Sequence, residues 1–307
     1  MTSRLVLLVA ALAIGAAAAR HAQAQTAGDA IVRGRVERLT HDYGDYARYV
    51  PQGSPRGLLV LVHGSIAEND AAIDAADLYI RRWTELADER GVVVLAPAFD
   101  QANYGGHAGP GGGYRGLFGR HVGADIFVNA LVEATRLAFP ELPERFHLYG
   151  HSAGGQFVSR YVVMHPERVA RAVICAAGTF AFPDPDVTWT NGMRRLRRRM
   201  RWSDDAPWGR IDVKPDPAGW LAAAQLPITV VVGSRDTAPV KETPGNPGGT
   251  HVERARHWVE AMTALARKHD KTSRVRLVTV PDVGHNSAML TPACQEALFD
   301  ADRSERD

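Results

Sequence analysis

Two kinds of apolar pattern alternate along the chain. Residues 30–39 (AIVRGRVERL) and 45–51 (DYARYVP) alternate apolar with polar positions, which predicts two exposed antiparallel strands. Residues 57–64 (GLLVLVHG) are almost continuously apolar, as a strand covered on both faces must be. Residues 71–91 then repeat apolar side chains at helical spacing and close on Gly91. The rhythm continues with a buried strand at 92–99, a glycine-rich loop at 101–123, and a helix over about 124–139 ended by Pro140 and Pro143. Further strands are predicted at 145–150, 171–178, 226–236 and 274–280, and further helices from 152 to Pro166, over 251–270 and over 291–302. Strands alternating with helices in this way imply a mostly parallel twisted sheet with helices on both faces, an α/β fold.

One stretch interrupts the alternation. Residues 179–225, rich in Trp, Arg and Pro, are too long for a simple connection and imply a cap-like or lid insertion before the penultimate strand. It holds Trp189, Trp202 and Trp208, which either line a substrate cleft or pack the insertion onto the core.

The chemistry concentrates where patterns change. Gly150-His151-Ser152-Ala153-Gly154 fits G-x-S-x-G between a predicted strand and helix. A serine at so sharp a turn stands clear of the sheet edge, in strained backbone, and the small neighbours let strand and helix approach. Ser152 is therefore the candidate nucleophile. It needs a base, and His285, in the loop after the last strand, lies at the sheet edge where sites assemble in parallel sheets. Asp236, after the penultimate strand, is the favoured partner for that imidazole. Asp282 competes, but from three residues before His285 it rarely reaches the far ring nitrogen.

An oxyanion needs two donors. The Ala153 amide supplies one and Ser65, in His63-Gly64-Ser65 after the first buried strand, the other, with Ile66 as the alternative. His63 is expected to brace this loop and His151 to line the pocket, while a cap on a helix end explains His165.

Composition adds limits. A chain of 307 residues with net charge +2 gives no reason to expect a nucleic-acid partner. The basic run at 193–202 (MRRLRRRMRW) reads as a solvated face or as a patch for acidic partners. Arg4, an apolar run over 5–19 and Ala22-Gln23-Ala24 predict a secretory signal over 1–24, leaving one domain over 25–307 without a stable membrane segment, secreted or periplasmic. Cys175 and Cys294 either pair in an oxidising compartment or remain buried thiols, and no histidine spacing near them suggests zinc.

The motifs LVHGS, GHSAGG, GSRD and VGH, in this order, resemble the α/β-hydrolase superfamily over nearly all of the mature chain. Within it, GHSAGGQFVSRYVVMHPERVARAV and the signal are similar to secreted esterases related to polyhydroxyalkanoate depolymerases and feruloyl esterases. The resemblance implies a Ser152–Asp236–His285 triad with Ser65 and Ala153 as the oxyanion hole. It points to a small-molecule or polymeric ester substrate cleaved through an acyl-enzyme, without metal or organic cofactor. A serine peptidase, a catalytically silent binding protein, and a lyase or transferase on this scaffold are the rival expectations.

Overall fold

The structure, a computed structural model, describes residues 31–67, 70–105, 112–200 and 209–299. The expected secretory signal, Trp202 and Trp208 lie outside the described residues.

Eight strands form the main sheet: β1 (Val36–His41), β2 (Gly44–Tyr49), β3 (Gly57–Val62), β4 (Val92–Pro97), β5 (Phe146–His151), β6 (Val169–Cys175), β9 (Ile228–Gly233) and β10 (Val275–Val280). Their order is β1-β2-β4-β3-β5-β6-β9-β10; β2 pairs antiparallel with both β1 and β4, and the other pairings are parallel. The helices are α1 (Ala72–Arg81), α2 (Thr84–Arg90), α3 (Ala124–Ala138), α4 (Ala153–Met164), α5 (Ala218–Ala224), α6 (His251–Lys268) and α7 (Ser287–Phe299).

Strand alternation explains the continuous apolar runs. In β3, Leu58, Val60 and Val62 face a core shared with Phe127 of α3, Phe157 of α4, Trp220 of α5 and Trp258 of α6. Leu59 and Leu61 face the opposite core with Ile80 of α1, Ala87 of α2 and Leu290 of α7. Period two thus leaves no position for a polar residue in a strand covered on both sides.

The chain goes from β3 to β4 on one side and later enters β5 on the other. The loops leaving β3 and β5 therefore diverge, and a crevice opens between their carboxyl ends, where such sheets bind ligands. The β3 loop carries Ser65 and the β5 turn carries Ser152.

Three expectations change, and one open alternative, that of Trp189, is decided. The second strand is not exposed: Tyr46, Ala47 and Tyr49 are buried because β2 lies between β1 and β4. The predicted helix over 71–91 is two helices, since Arg82 and Trp83 make i→i+3 bonds to Tyr79 and Ile80, and Trp83 turns into the core against Tyr149. The last helix begins at Ser287, where Asn286 Oδ1 accepts the Ala288 and Met289 amides; Pro292, which suggests a start in its neighbourhood, lies inside it. Trp189 is packed in the core, edge-on to Trp220.

The segment expected as an insertion contains a separate two-stranded sheet, β7 (Leu196–Met200) against β8 (Gly209–Val213), followed by α5. Buried Arg160 of α4 ties its base to the core, donating to the Thr190 carbonyl (2.9 Å), Thr179 Oγ1 (2.9 Å) and Asn191 Oδ1 (3.1 Å). Asp212 of the ribbon holds two residues of the basic run, Arg195 and Arg197. Both cysteines are free, buried thiols. Among the described residues no helix is long and apolar enough to cross a membrane.

Candidate active site

Ser152 sits between β5 and α4 with φ +55° and ψ −113°, outside the regions favoured by L-residues. Three contacts hold this strained turn. The Ser152 amide donates to the Cys175 carbonyl at 2.9 Å, and its own carbonyl accepts the Gln156 amide at 3.0 Å. Gly154 is the third: a Cβ there would overlap the Val62 carbonyl oxygen, so only glycine lets α4 start hard against β3. Ala153 opens α4, and its N–H is among the first-turn amides that have no intrahelical acceptor.

The β3 loop is braced by tyrosines and a histidine. Phe99 N–H donates to His63 Nε2 at 3.1 Å, so Nδ1 carries the ring proton and donates to the Gly64 carbonyl at 2.7 Å. The Tyr114 hydroxyl donates to the same carbonyl at 3.0 Å. Two donors thus fix the Gly64–Ser65 peptide plane, and in a trans peptide the Ser65 N–H points opposite to the Gly64 oxygen. The Gly64 amide donates to the Tyr79 oxygen at 3.2 Å. Tyr79 in turn lies 3.3 Å from His151 Nδ1. Burial pushes His63 below its ordinary range. Burial, then nearby His285, pushes His151 down to about 3. Both are neutral at pH 7.

Asp236 and His285 follow β9 and β10, which are adjacent and parallel. Their loops are zipped together: Ser234 N–H donates to Val280 O (2.9 Å), Arg235 N–H to Val283 O (2.8 Å) and Asp282 N–H to Ser234 Oγ (2.8 Å). A Cβ on Gly233 would overlap the Val283 carbonyl, so this zipper also needs a glycine. Its product is a 2.7 Å hydrogen bond between His285 Nδ1 and Asp236 Oδ2. Asp282 is turned to solvent and pairs with Arg235 at 2.7 Å instead.

Asp236 is 3% exposed. Burial alone would raise its carboxyl, but the imidazoles of His251 and His285 outweigh burial and hold it well below the usual carboxylate range. His251, the first residue of α6, is the contact that sequence reasoning passed over: its Nδ1 is 3.0 Å from Asp236 Oδ1. The only sequence signal is a histidine opening the helix after the Asp236 loop.

Asp236, His251 and His285 each offer a ligand atom, all within 4.8 Å of one another. Two ligands of a tetrahedral zinc stand roughly 3.3 Å apart. The 2.7 Å between His285 Nδ1 and Asp236 Oδ2 suits a shared proton instead.

Ser65, Ile66, His151, Ser152 and His285 line one cleft of about 820 Å³, completed by Asp70, Leu78, Tyr79 and Arg82. Ser152 and His285 are not hydrogen-bonded to each other across it, a looseness common in sites without substrate.

The parallel sheet, the crevice at its switch point and the serine elbow define an α/β hydrolase. The chain belongs to the alpha/beta hydrolase family, whose model matches residues 59–298. Among solved structures it is similar to LpqC, the poly(3-hydroxybutyrate) depolymerase of Bordetella parapertussis, at 22% identity and TM-score 0.69, over 90% of this chain and 95% of that one. Poly(aspartic acid) hydrolase-1 from Sphingomonas sp. KT-1 aligns at 23% identity and TM-score 0.67, over 87% of this chain and all of that one (100%). FphF, a fluorophosphonate-binding serine hydrolase of Staphylococcus aureus, aligns at 16% identity and TM-score 0.51, covering 86% and 96%. At these identities the likeness is one of fold. No curated protein matches at the level of sequence.

Proposed function

We propose that the protein is a serine hydrolase that cleaves carboxylic esters through an acyl-enzyme. One observation carries the reading: a strained serine shares a cleft with an imidazole whose far nitrogen is held by a buried carboxylate at 2.7 Å. Asp236 keeps the proton on His285 Nδ1, which leaves Nε2 as the base. Ser152 Oγ attacks the ester carbonyl carbon while its proton passes to His285 Nε2. The N–H groups of Ala153 and Ser65 receive the oxyanion, aided by the positive end of α4. Collapse returns that proton to the departing alkoxide, which leaves as the alcohol. Water, deprotonated by the same imidazole, then releases the acid and restores Ser152.

The cleft mixes apolar Ile66 and Leu78 with Asp70 and Arg82, which suits an ester with both apolar and polar parts. The polyester named for LpqC extends the candidate substrates to polymers. The features at 1–24 support a location outside the cytoplasm. The test is turnover of short p-nitrophenyl esters with fluorophosphonate labelling. Wild type is expected to do both and Ser152→Ala neither, with folding retained. Activity that survives Ser152→Ala refutes the reading, and faster cleavage of amides than of matched esters replaces it with a peptidase.

A further inference from the structure

Asp236 is buried in the candidate site between two imidazoles, those of His285 and His251. The His285 ring lies between those of His151 and His251, with centroids 4.9 and 4.5 Å away. His285 occupies one carboxylate oxygen, Oδ2. The second oxygen of a buried carboxylate needs its own partner, because an uncompensated charge inside a protein is costly. The side chain facing Oδ1 is His251, at 3.0 Å. A lone pair directed at a carboxylate would repel it, so His251 Nδ1 carries a proton in this contact. The distance is that of a close polar pair, but the N–H is not aligned along it, so the contact acts through charge and dipole more than through a well-directed hydrogen bond.

His251 does not reach this place by chance of a loose loop. Thr250 caps α6, its side chain accepting the Glu253 amide at 3.1 Å, and Glu253 Oε2 accepts the Gly249 amide at 2.7 Å. Arg254, one turn on and 2% exposed, donates to the carbonyls of Gly248 (3.0 Å), Gly178 (2.5 Å) and Lys241 (2.6 Å). These bonds fasten the first turn of α6 to the loop after β9 and to the loop after β6, so His251 stands beside Asp236 on a rigid support.

We infer that His251 is a positioning residue: it clasps the second oxygen of Asp236 so that the carboxylate keeps the orientation in which it holds His285. The inference rests on the serine-hydrolase reading above and adds a fourth side chain to it. During attack His285 becomes an imidazolium, and the energy gained from Asp236 depends on a carboxylate that cannot swing away. His251 touches neither substrate nor Ser152 in this role, so its loss lowers kcat and leaves KM in place.

Two replacements separate this from simple packing. His251→Phe keeps the ring volume and removes the N–H; His251→Asn keeps an N–H near the Nδ1 position and loses volume. A misplaced orienting group costs roughly tenfold or more in rate. His251→Phe is therefore expected to lose about tenfold in kcat with KM within about twofold, and His251→Asn to retain most of kcat. Packing alone gives the reverse order, with Phe active and Asn impaired, and that order overturns the inference. If one variant does not fold, the other decides: Asn with near wild-type kcat sustains the role, and Phe with near wild-type kcat removes it. Fluorophosphonate labelling of Ser152 in the wild type is run beside these assays. Labelling with an active His251→Phe sinks only the role of His251, whereas no labelling and no ester turnover sinks the hydrolase reading itself.

Discussion

Tyr114→Phe tests whether the Gly64–Ser65 peptide carries the oxyanion. The substitution deletes one oxygen. The ring stack on Phe99, at 4.8 Å between centroids and 17° between planes, is kept by phenylalanine. What is lost is the hydroxyl's bond to Gly64 O at 3.0 Å, shared with His63 O at 3.3 Å. One such bond contributes about 0.5–1.5 kcal/mol net to stability. Removing an entire oxyanion donor costs about 2.7–4 kcal/mol in activation free energy. Here His63 Nδ1 still holds Gly64 O at 2.7 Å, so the Ser65 amide is loosened, not removed. About a third to a half of the full cost is expected, a fall in kcat of roughly tenfold. KM should change little, because the ground-state carbonyl gains less from the donor than the oxyanion does. Steady-state turnover of a p-nitrophenyl ester and urea unfolding measure the two effects separately. A kcat within twofold of wild type, alongside the expected stability loss, would show that another group receives the charge.

Three further outcomes follow from the same geometry. Asp236→Asn, by favouring the wrong tautomer of His285, should lower kcat by about 10⁴-fold with fold and KM preserved, read by single-turnover acylation. Stability should fall with acid from about pH 6.5, the unfolded histidine value: His63 and His151 remain neutral when folded, so only the unfolded chain takes up their protons. For His151 the slope is about 1.4 kcal/mol per pH unit and continues down to about pH 3, with His63 acting in the same direction; urea midpoints from pH 7 to 4 in wild type and His151→Gln should differ by one proton's slope. Gly154→Ala should destabilise by about 1–3 kcal/mol in thermal unfolding, since its Cβ would displace α4 from the Val62 carbonyl; an unchanged melting temperature would mean the elbow is slacker than its backbone angles indicate.

The part of this molecule legible in its sequence is the part governed by short-range rules. Buried parallel strands cannot hold polar residues, so β3, β4, β5, β6 and β9 stand out as apolar runs, and their ends mark where Ser65, Ser152 and Asp236 lie. The order of approach at these ends is likewise local, because Gly154 and Gly233 announce close contacts by lacking a side chain. The break at Arg82–Trp83 was not legible, because helical spacing runs unchanged through it and only the Tyr149 ring across the core draws Trp83 inward. Reach favours Asp236 over Asp282 in the sequence; in the fold Asp236 bonds His285, while Asp282 sits at φ +59° in the zipped turn, facing Arg235 and solvent. His251 lies beyond any local rule. Its histidine is one of twelve, in a helix whose periodicity is explained by packing alone. What brings it to Asp236 is the path of residues 237–250, which the helix cap helps to hold and which a buried arginine pins by collecting carbonyls from three separate places. Arg254 reads in the sequence as another charge in an arginine-rich helix; its burial is decided by distant backbone that has spare oxygens to satisfy. Supports of the candidate site are therefore harder to read than its candidate reacting groups: the proposed nucleophile is announced by a strained local turn, whereas the proposed brace needs only to arrive.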